Sequence, residues 1–180
     1  ETQPEVLALQ EMGPLPYLEE LQRDLAAEGL RYDQRALLDG PDPARHLAVL
    51  SRVPLRQVTP HVAVATREHG LVRRGVLEVA VALGEREATF FLVHLKSRHT
   101  GNAADPFSAA QREGEAEAVR DLVLRRFPDP AAAAFLILGD CNDTPQSRPL
   151  RALARRGDTR ITSALPAADG GGDSWTHHYR

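Results

Sequence analysis

Residues 134–142 read Ala-Phe-Leu-Ile-Leu-Gly-Asp-Cys-Asn, an apolar run that passes directly into a glycine and polar side chains. A short apolar run bounded by turn residues predicts a buried β-strand. Two other apolar runs end in the same way, Val6-Leu7-Ala8-Leu9-Gln10-Glu11 and Phe91-Leu92-Val93-His94. Because side chains just beyond buried strands gather in the crevice at one end of a sheet, the three runs predict one shared site.

The hydrophobic period along the chain predicts a mixed α/β fold. Helices are predicted from the prolines at 14 and 16 to Gly29, over residues 108–127 and over residues 149–156. Apolar runs predict further strands at residues 30–38, 46–51, 57–66, 75–83 and 88–95. Strands that follow one another without an intervening helix favour antiparallel pairing in that region.

The composition is that of a globular protein of one domain. The chain has 180 residues, 42% of them hydrophobic and 26% charged, and a formal net charge of -3. This charge gives no sign of a basic field for nucleic acid, so a long nucleic acid partner is compatible with the sequence but unsupported. No apolar run reaches the roughly 18 residues of a membrane span, and no signal-peptide pattern is present. Localisation stays open.

The three strand ends carry metal-binding chemistry. Carboxylates from two strands, Glu11 and Asp140, suit a hard cation with oxygen ligands, Mg²⁺ or Mn²⁺ more than Zn²⁺. His94 adds an imidazole from the third strand. Each residue also has a plainer interpretation: Glu11 as an exposed strand-end carboxylate and His94 as a hydrogen-bonded core histidine.

At this point the sequence resembles the endonuclease/exonuclease/phosphatase superfamily. Five segments occur in the family's order: Leu9-Gln10-Glu11, Val49-Leu50-Ser51-Arg52-Val53-Pro54, His94-Leu95-Lys96-Ser97, Gly139-Asp140-Cys141-Asn142-Asp143-Thr144-Pro145 and Ser174-Trp175-Thr176-His177. Each segment is weak alone and the ordered set is strong. The resemblance implies an α/β (α+β) four-layer β-sandwich of two mixed sheets flanked by helices, with the site at one end.

The resemblance also implies roles for single residues. Glu11 is expected to bind the Mg²⁺ or Mn²⁺ ion, and Asp140 to share it and to orient or deprotonate the attacking water. Asn142 is expected at the substrate phosphate, and His94 to stabilise the transition state. Thr176 and His177 are expected to approach the substrate phosphate.

Three further features admit a chemical and a plain interpretation. Lys96 is the only lysine, since 21 of the 22 basic residues are arginines, and it is interpreted equally as a phosphate contact or a solvated side chain. Cys141 is interpreted as a small buried apolar residue rather than a nucleophile. A basic cluster is interpreted as a solvated face rather than a polyanion contact; it comprises Arg148, Arg151, Arg155, Arg156 and Arg160.

The predicted function is metal-dependent hydrolysis of a phosphodiester or phosphomonoester, with a small or lipid-derived substrate favoured over long DNA. The alternative is a catalytically silent domain that binds a phosphorylated ligand or a protein partner. In the family, a preceding strand carries an Asn near the metal and a final strand carries an Asp, often followed by His. Residues 1–180 are therefore expected to form a single domain that lacks its first and last strands and is weakly stable alone, unless His177 or His178 replaces the final pair.

Overall fold

The computed structural model describes residues 3–162. Its strands are β1 (Val6–Met12), β2 (Gln34–Leu38), β3 (His46–Ser51), β4 (Leu55–His61), β5 (Val76–Leu83), β6 (Arg86–His94), β7 (Phe135–Asp140), β8 (Arg155–Arg156) and β9 (Thr159–Arg160). Its helices are α1 (Leu15–Ala27), α2 (Ala109–Arg126) and α3 (Arg148–Ala154), with a 3-10 turn at Pro130–Ala132.

The strands form two main sheets and one short hairpin. One sheet has the order β1-β3-β2, the other β4-β5-β6-β7, and β8 pairs with β9. All pairs are antiparallel except β6 and β7, which run parallel with His94 beside Asp140. A parallel pair needs a long crossover connection, and α2 lies in it. The two strands therefore end at the same edge of their sheet.

The elements stack in four layers, as the family resemblance implies. Leu18 of α1 packs with Ala48 on the outer face of the three-stranded sheet. The inner faces of the two sheets meet in a second core, where Leu47 of one sheet and Leu92 of the other belong to one buried cluster. The outer face of the four-stranded sheet packs against α2 and α3. None of the helices in residues 3–162 is long and apolar enough to cross a membrane.

Most predicted elements are confirmed, but two strands are shorter than predicted, and the helix predicted over 149–156 spans Arg148–Ala154, because Arg155–Arg156 pair as β8. The run predicted as a strand over 30–38 begins only at Gln34, because the backbone N–H of Leu30 donates to the Leu25 carbonyl and closes the end of α1. The run predicted over 57–66 is a strand only up to His61. Beyond it, the Thr66 N–H donates to the Gly70 carbonyl at 2.7 Å in a local turn.

Candidate active site

Glu11 lies in a β-bulge near the end of β1. Leu9 is paired with Ala48 of β3, but the next pair is Met12 with His46, so β1 carries an extra residue there. The bulge puts Glu11 in the left-handed region at φ 55°, where non-glycine residues are uncommon. Its side chain is 64% exposed. The bulge thus turns a carboxylate out of the sheet at the predicted end.

His94 ends β6 and is 2% exposed. Its Nε2 lies 3.9 Å from Oε1 of Glu11, whereas its buried Nδ1 has no hydrogen-bond partner among the described residues. Burial lowers the pKa of His94, and the Arg74 guanidinium lowers it further, although the Asp140 and Glu11 carboxylates act in the opposite direction. The neutral imidazole is therefore favoured at neutral pH, so it would act by donating a hydrogen bond.

Asp140 is the last residue of β7 and lies beside His94 in the parallel register. Its position depends on Gly139, which has φ 137° and whose added Cβ would lie 1.9 Å from the Val93 carbonyl oxygen. Only glycine permits this close approach of the two strands. The approach sets the Asp140 carboxylate next to the imidazole.

Asn142 connects the ends of β6 and β7. Its backbone N–H donates to Asp140 Oδ1 at 2.8 Å, and its Nδ2 donates to the Leu95 carbonyl at 2.9 Å. The residue has φ 53°, a region that Asn tolerates better than most residues. Asp140 Oδ2 accepts no hydrogen bond within residues 3–162. One carboxylate oxygen is therefore held and the other is available to a ligand.

Cys141 points away from this chemistry. Its side chain packs against the apolar cluster between the four-stranded sheet and α2. Burial raises the pKa of the thiol to about 11, and the nearby carboxylates of Asp140 and Asp143 add to the effect. A thiol that stays protonated is a poor nucleophile, which supports the interpretation of Cys141 as a buried apolar residue.

The structure brings Glu11, His94, Asp140 and Asn142 to one end of the sandwich, while the predicted contacts Thr176 and His177 lie outside the described residues. Within residues 3–162, no three His, Cys, Asp or Glu side chains are close enough to hold a metal ion by themselves. The two carboxylates nevertheless fit Mg²⁺ or Mn²⁺, because Mg²⁺ binds proteins through one or two carboxylates and keeps several waters.

Helix α2 holds the loop after β7 through Arg112, whose importance the sequence did not reveal. The Arg112 side chain is 2% exposed, and its Nε and Nη2 each lie 2.9 Å from Oδ2 of Asp143, the residue after Asn142. Its Nη1 donates to the carbonyls of Lys96 and Phe107. A charged residue on the buried face of a predicted helix was the available signal.

Glu115, one turn further along α2, holds the segment after His94. It is fully buried, and its carboxylate accepts the backbone N–H of Lys96 at 2.7 Å and that of Arg73 at 3.2 Å. Burial raises the pKa of Glu115 above its ordinary value, although these hydrogen bonds and Arg74 oppose the effect. Glu115 thereby joins the segment after β6 to the loop before β5.

A second group that the sequence did not reveal surrounds Asp42, in the loop between β2 and β3. Asp42 is buried, and its Oδ1 accepts the backbone N–H groups of Ala44 and Arg45. Its Oδ2 lies 3.4 to 3.7 Å from nitrogens of Arg45, Arg73 and Arg74. Burial raises the pKa of Asp42, but these contacts outweigh it and the pKa is lowered overall.

The remaining basic residues have local partners or solvent. Lys96 Nζ donates to the carbonyls of Ser97 and His99, so its ammonium stays close to its own loop. The five arginines of the predicted basic cluster are all exposed, which agrees with their interpretation as a solvated face.

Three solved structures with the same fold have low sequence identity to the chain. Sphingomyelinase C from Streptomyces griseocarneus has 18% identity and a TM-score of 0.62, with 83% of this chain and 55% of that chain covered. The human nocturnin catalytic domain with bound sulfate has 18% identity and a TM-score of 0.65, with 84% and 56% covered. A beta toxin mutant from Staphylococcus aureus with bound magnesium ions has 14% identity and a TM-score of 0.63, with 83% and 56% covered.

The chain thus spans a little over half the length of these structures. No curated protein sequence matches it. The sequence profile of one family, described as the endonuclease/exonuclease/phosphatase family, matches residues 1–180. With the sandwich fold and the strand-end residues in place, the chain belongs to the endonuclease/exonuclease/phosphatase family, a family of metal-dependent phosphoesterases.

Proposed function

We propose that this chain hydrolyses a phosphate ester by attack of water, with Mg²⁺ or Mn²⁺ as cofactor. The observation that carries the proposal is the meeting of two sheets at one end, where His94 Nε2 lies 3.9 Å from Glu11 Oε1 and Asp140 lies beside His94. Packing alone requires neither a left-handed, exposed glutamate nor a buried histidine next to it. Such departures from local preference concentrate at functional sites.

The residues divide the work as follows. Glu11 and Asp140 hold the metal, which when bound polarises the phosphoryl oxygen. Asp140, oriented by the Asn142 N–H, orients or deprotonates the water. Asn142 has a second amide hydrogen to offer the phosphate, and His94 donates to an oxygen whose charge grows in the transition state. Thr176 and His177 are further proposed contacts of the substrate phosphate.

The direct test is hydrolysis of bis-p-nitrophenyl phosphate with Mg²⁺ or Mn²⁺ and in EDTA. Glu11→Gln and Asp140→Asn should each lower turnover by several orders of magnitude and weaken Mn²⁺ binding in calorimetry. His94→Gln should lower kcat by roughly 10² to 10³ with little change in KM, because its hydrogen bond strengthens in the transition state. Glu87→Gln, an exposed carboxylate near the far end of β6, is the control.

The proposal fails if EDTA leaves the rate unchanged or if Glu11→Gln retains near-normal activity at saturating metal. A panel of sphingomyelin, inositol phosphate, nucleotide and DNA substrates should follow. The net charge of -3 favours a small or lipid-derived ester over long DNA. Ligand binding without hydrolysis of any substrate would instead support the catalytically silent alternative.

A further inference from the structure

Three guanidinium groups share one carboxylate oxygen beside the candidate site. Nη1 of Arg45, Nε of Arg73 and Nε of Arg74 lie 3.7, 3.5 and 3.4 Å from Oδ2 of Asp42. Glu11 also contacts Arg45 and Glu115 also attracts Arg74, so three carboxylates face the three guanidinium groups. The three arginines with Asp42 are called here the Asp42 cluster, and their capacity to bind an anion lies in their unmatched donors rather than in net charge.

The Asp42 cluster also has more hydrogen-bond donors than acceptors. Each guanidinium carries five N–H donors. Nε and Nη1 of Arg74 are buried and donate no hydrogen bond within the described chain, although the residue is only 4% exposed. The side chains of Arg45 and Arg73 are 48% and 53% exposed, and of their donors only Nε of Arg73 forms a hydrogen bond within residues 3–162, to Asp42. Leaving buried donors unmatched is unfavourable, and a neighbouring anion would compensate the charge of the buried Arg74 electrostatically.

The cluster lies directly beside the proposed metal ligand. Nε of Arg45 is 3.7 Å from Oε1 of Glu11, so a single guanidinium separates Glu11 from Asp42. An anion bound on the exposed side of Arg45 and Arg73 would be the immediate neighbour of a phosphate at Glu11. Phosphate oxygens match the planar fork of arginine and form charge-assisted hydrogen bonds with it.

We propose that Arg45 and Arg73, backed by Arg74, form a second anion subsite that binds another phosphate group of the substrate. This inference rests on the proposed function and narrows its substrate class to esters with a further phosphate near the scissile one. The shared chemistry is that of two neighbouring phosphates, which either a small bisphosphate or a strand of phosphodiesters supplies.

Binding tests the subsite without catalysis. Thymidine 3′,5′-bisphosphate and thymidine 5′-phosphate are compared by calorimetry in EDTA. The protein should bind the bisphosphate about tenfold or more tightly than the monophosphate, and Arg73→Gln and Arg45→Gln should each remove most of that preference. Arg86→Gln, an exposed arginine at the opposite end of β6 from His94, should keep it. Equal affinity for both ligands, or full preference in both cluster variants, would overturn the subsite.

Folding and catalysis are controlled separately. Both substituted side chains are half-exposed, so unchanged circular dichroism and melting are expected. In a kinetic assay, p-nitrophenyl esters of thymidine 5′-phosphate with and without a 3′-phosphate are compared, and Arg73→Gln should lower kcat/KM several-fold only for the phosphorylated ester. If neither these esters nor bis-p-nitrophenyl phosphate and the substrate panel are hydrolysed but the binding preference persists, the proposed function fails and the anion subsite stands.

A short oligothymidylate identifies the source of the second phosphate. If the oligothymidylate binds more tightly than the bisphosphate and this binding depends on the arginines, the second phosphate comes from a nucleic acid strand. If the oligothymidylate binds more weakly, the second phosphate comes from a small molecule. Both outcomes support the subsite, provided that Arg73→Gln weakens the tighter ligand. If that substitution weakens neither, the Asp42 cluster is only a structural group of ion pairs.

Discussion

Replacing Arg112 with methionine should lower the free energy of unfolding and should also lower activity in the molecules that remain folded. The side chain is 2% exposed and joins Asp143 to α2, while its Nη1 donates to the Lys96 and Phe107 carbonyls. Methionine fills a similar volume but offers no donor. The substitution therefore leaves the Asp143 carboxylate and two carbonyl groups without their main partner.

The expected loss follows from the burial of the pair. Removing one partner of a buried ion pair costs about 3–5 kcal/mol. Asp143 is 10% exposed and keeps Arg98 at 3.2 Å, so its charge stays partly compensated. We expect the lower end, about 3 kcal/mol. With a urea m-value of about 2 kcal/mol/M for a domain of this size, the midpoint of unfolding should fall by about 1.5 M.

The assays are urea unfolding by circular dichroism and hydrolysis below the transition. Activity should fall even where the variant is folded, because Asn142 lies next to the released Asp143. Arg125→Met, an exposed arginine on the same helix, is the control and should change neither quantity. Adding Asp143→Leu to the variant should cost little more, since the two residues act as a pair. A loss below about 1 kcal/mol would refute this reasoning.

Two further predictions concern the end of β7 and the loop that follows it. Gly139→Ala places a Cβ 1.9 Å from the Val93 carbonyl oxygen at φ 137°, so it should lower the free energy of unfolding by about 3 kcal/mol and remove most activity, as measured by melting and hydrolysis. The control is Gly84→Ala, at φ 64° in open space, which should lower the free energy of unfolding by about 1 kcal/mol. Equal losses in the two variants would contradict the close approach at Gly139. Burial raises the pKa of Asp143, but hydrogen bonds from a backbone N–H and Arg112 lower it overall. Its stabilisation is therefore present above its unfolded pKa of about 3.9 and lost as pH falls through the lower folded pKa, so Asp143→Asn should flatten the acid decline of the free energy of unfolding; an unchanged slope below about pH 4 would count against it.

The sequence predicted the fold well because its signals are local. Residues 46–51 form a strand with the predicted limits, and α2 lies within the predicted range 108–127. The prediction was wrong where an apolar run extends beyond the strand, as in the strand predicted over residues 57–66. The segment after His61 leaves the sheet for a turn closed by hydrogen bonds among residues 64–72, which the apolar run did not indicate.

The sequence predicted those residues of the candidate site that lie at the ends of strands. Glu11, His94 and Asp140 each follow an apolar run, and the structure brings them together. Arg45 and Arg74 could not be singled out in this way, because nearly all basic residues in this chain are arginines. Neither of the two follows an apolar run. Their meeting at Asp42 depends on how two connections fold over the end of the sandwich.

The candidate site stands on both sheets, with Glu11 on one and His94 and Asp140 on the other. The spacing between them depends on the apolar core between the sheets, in which Leu47 packs with Leu92. A close-packed core transmits displacement, and a misplacement of about 1 Å can lower a rate about a hundredfold. The proposed activity therefore depends on the packing between the two sheets as well as on the side chains at the site.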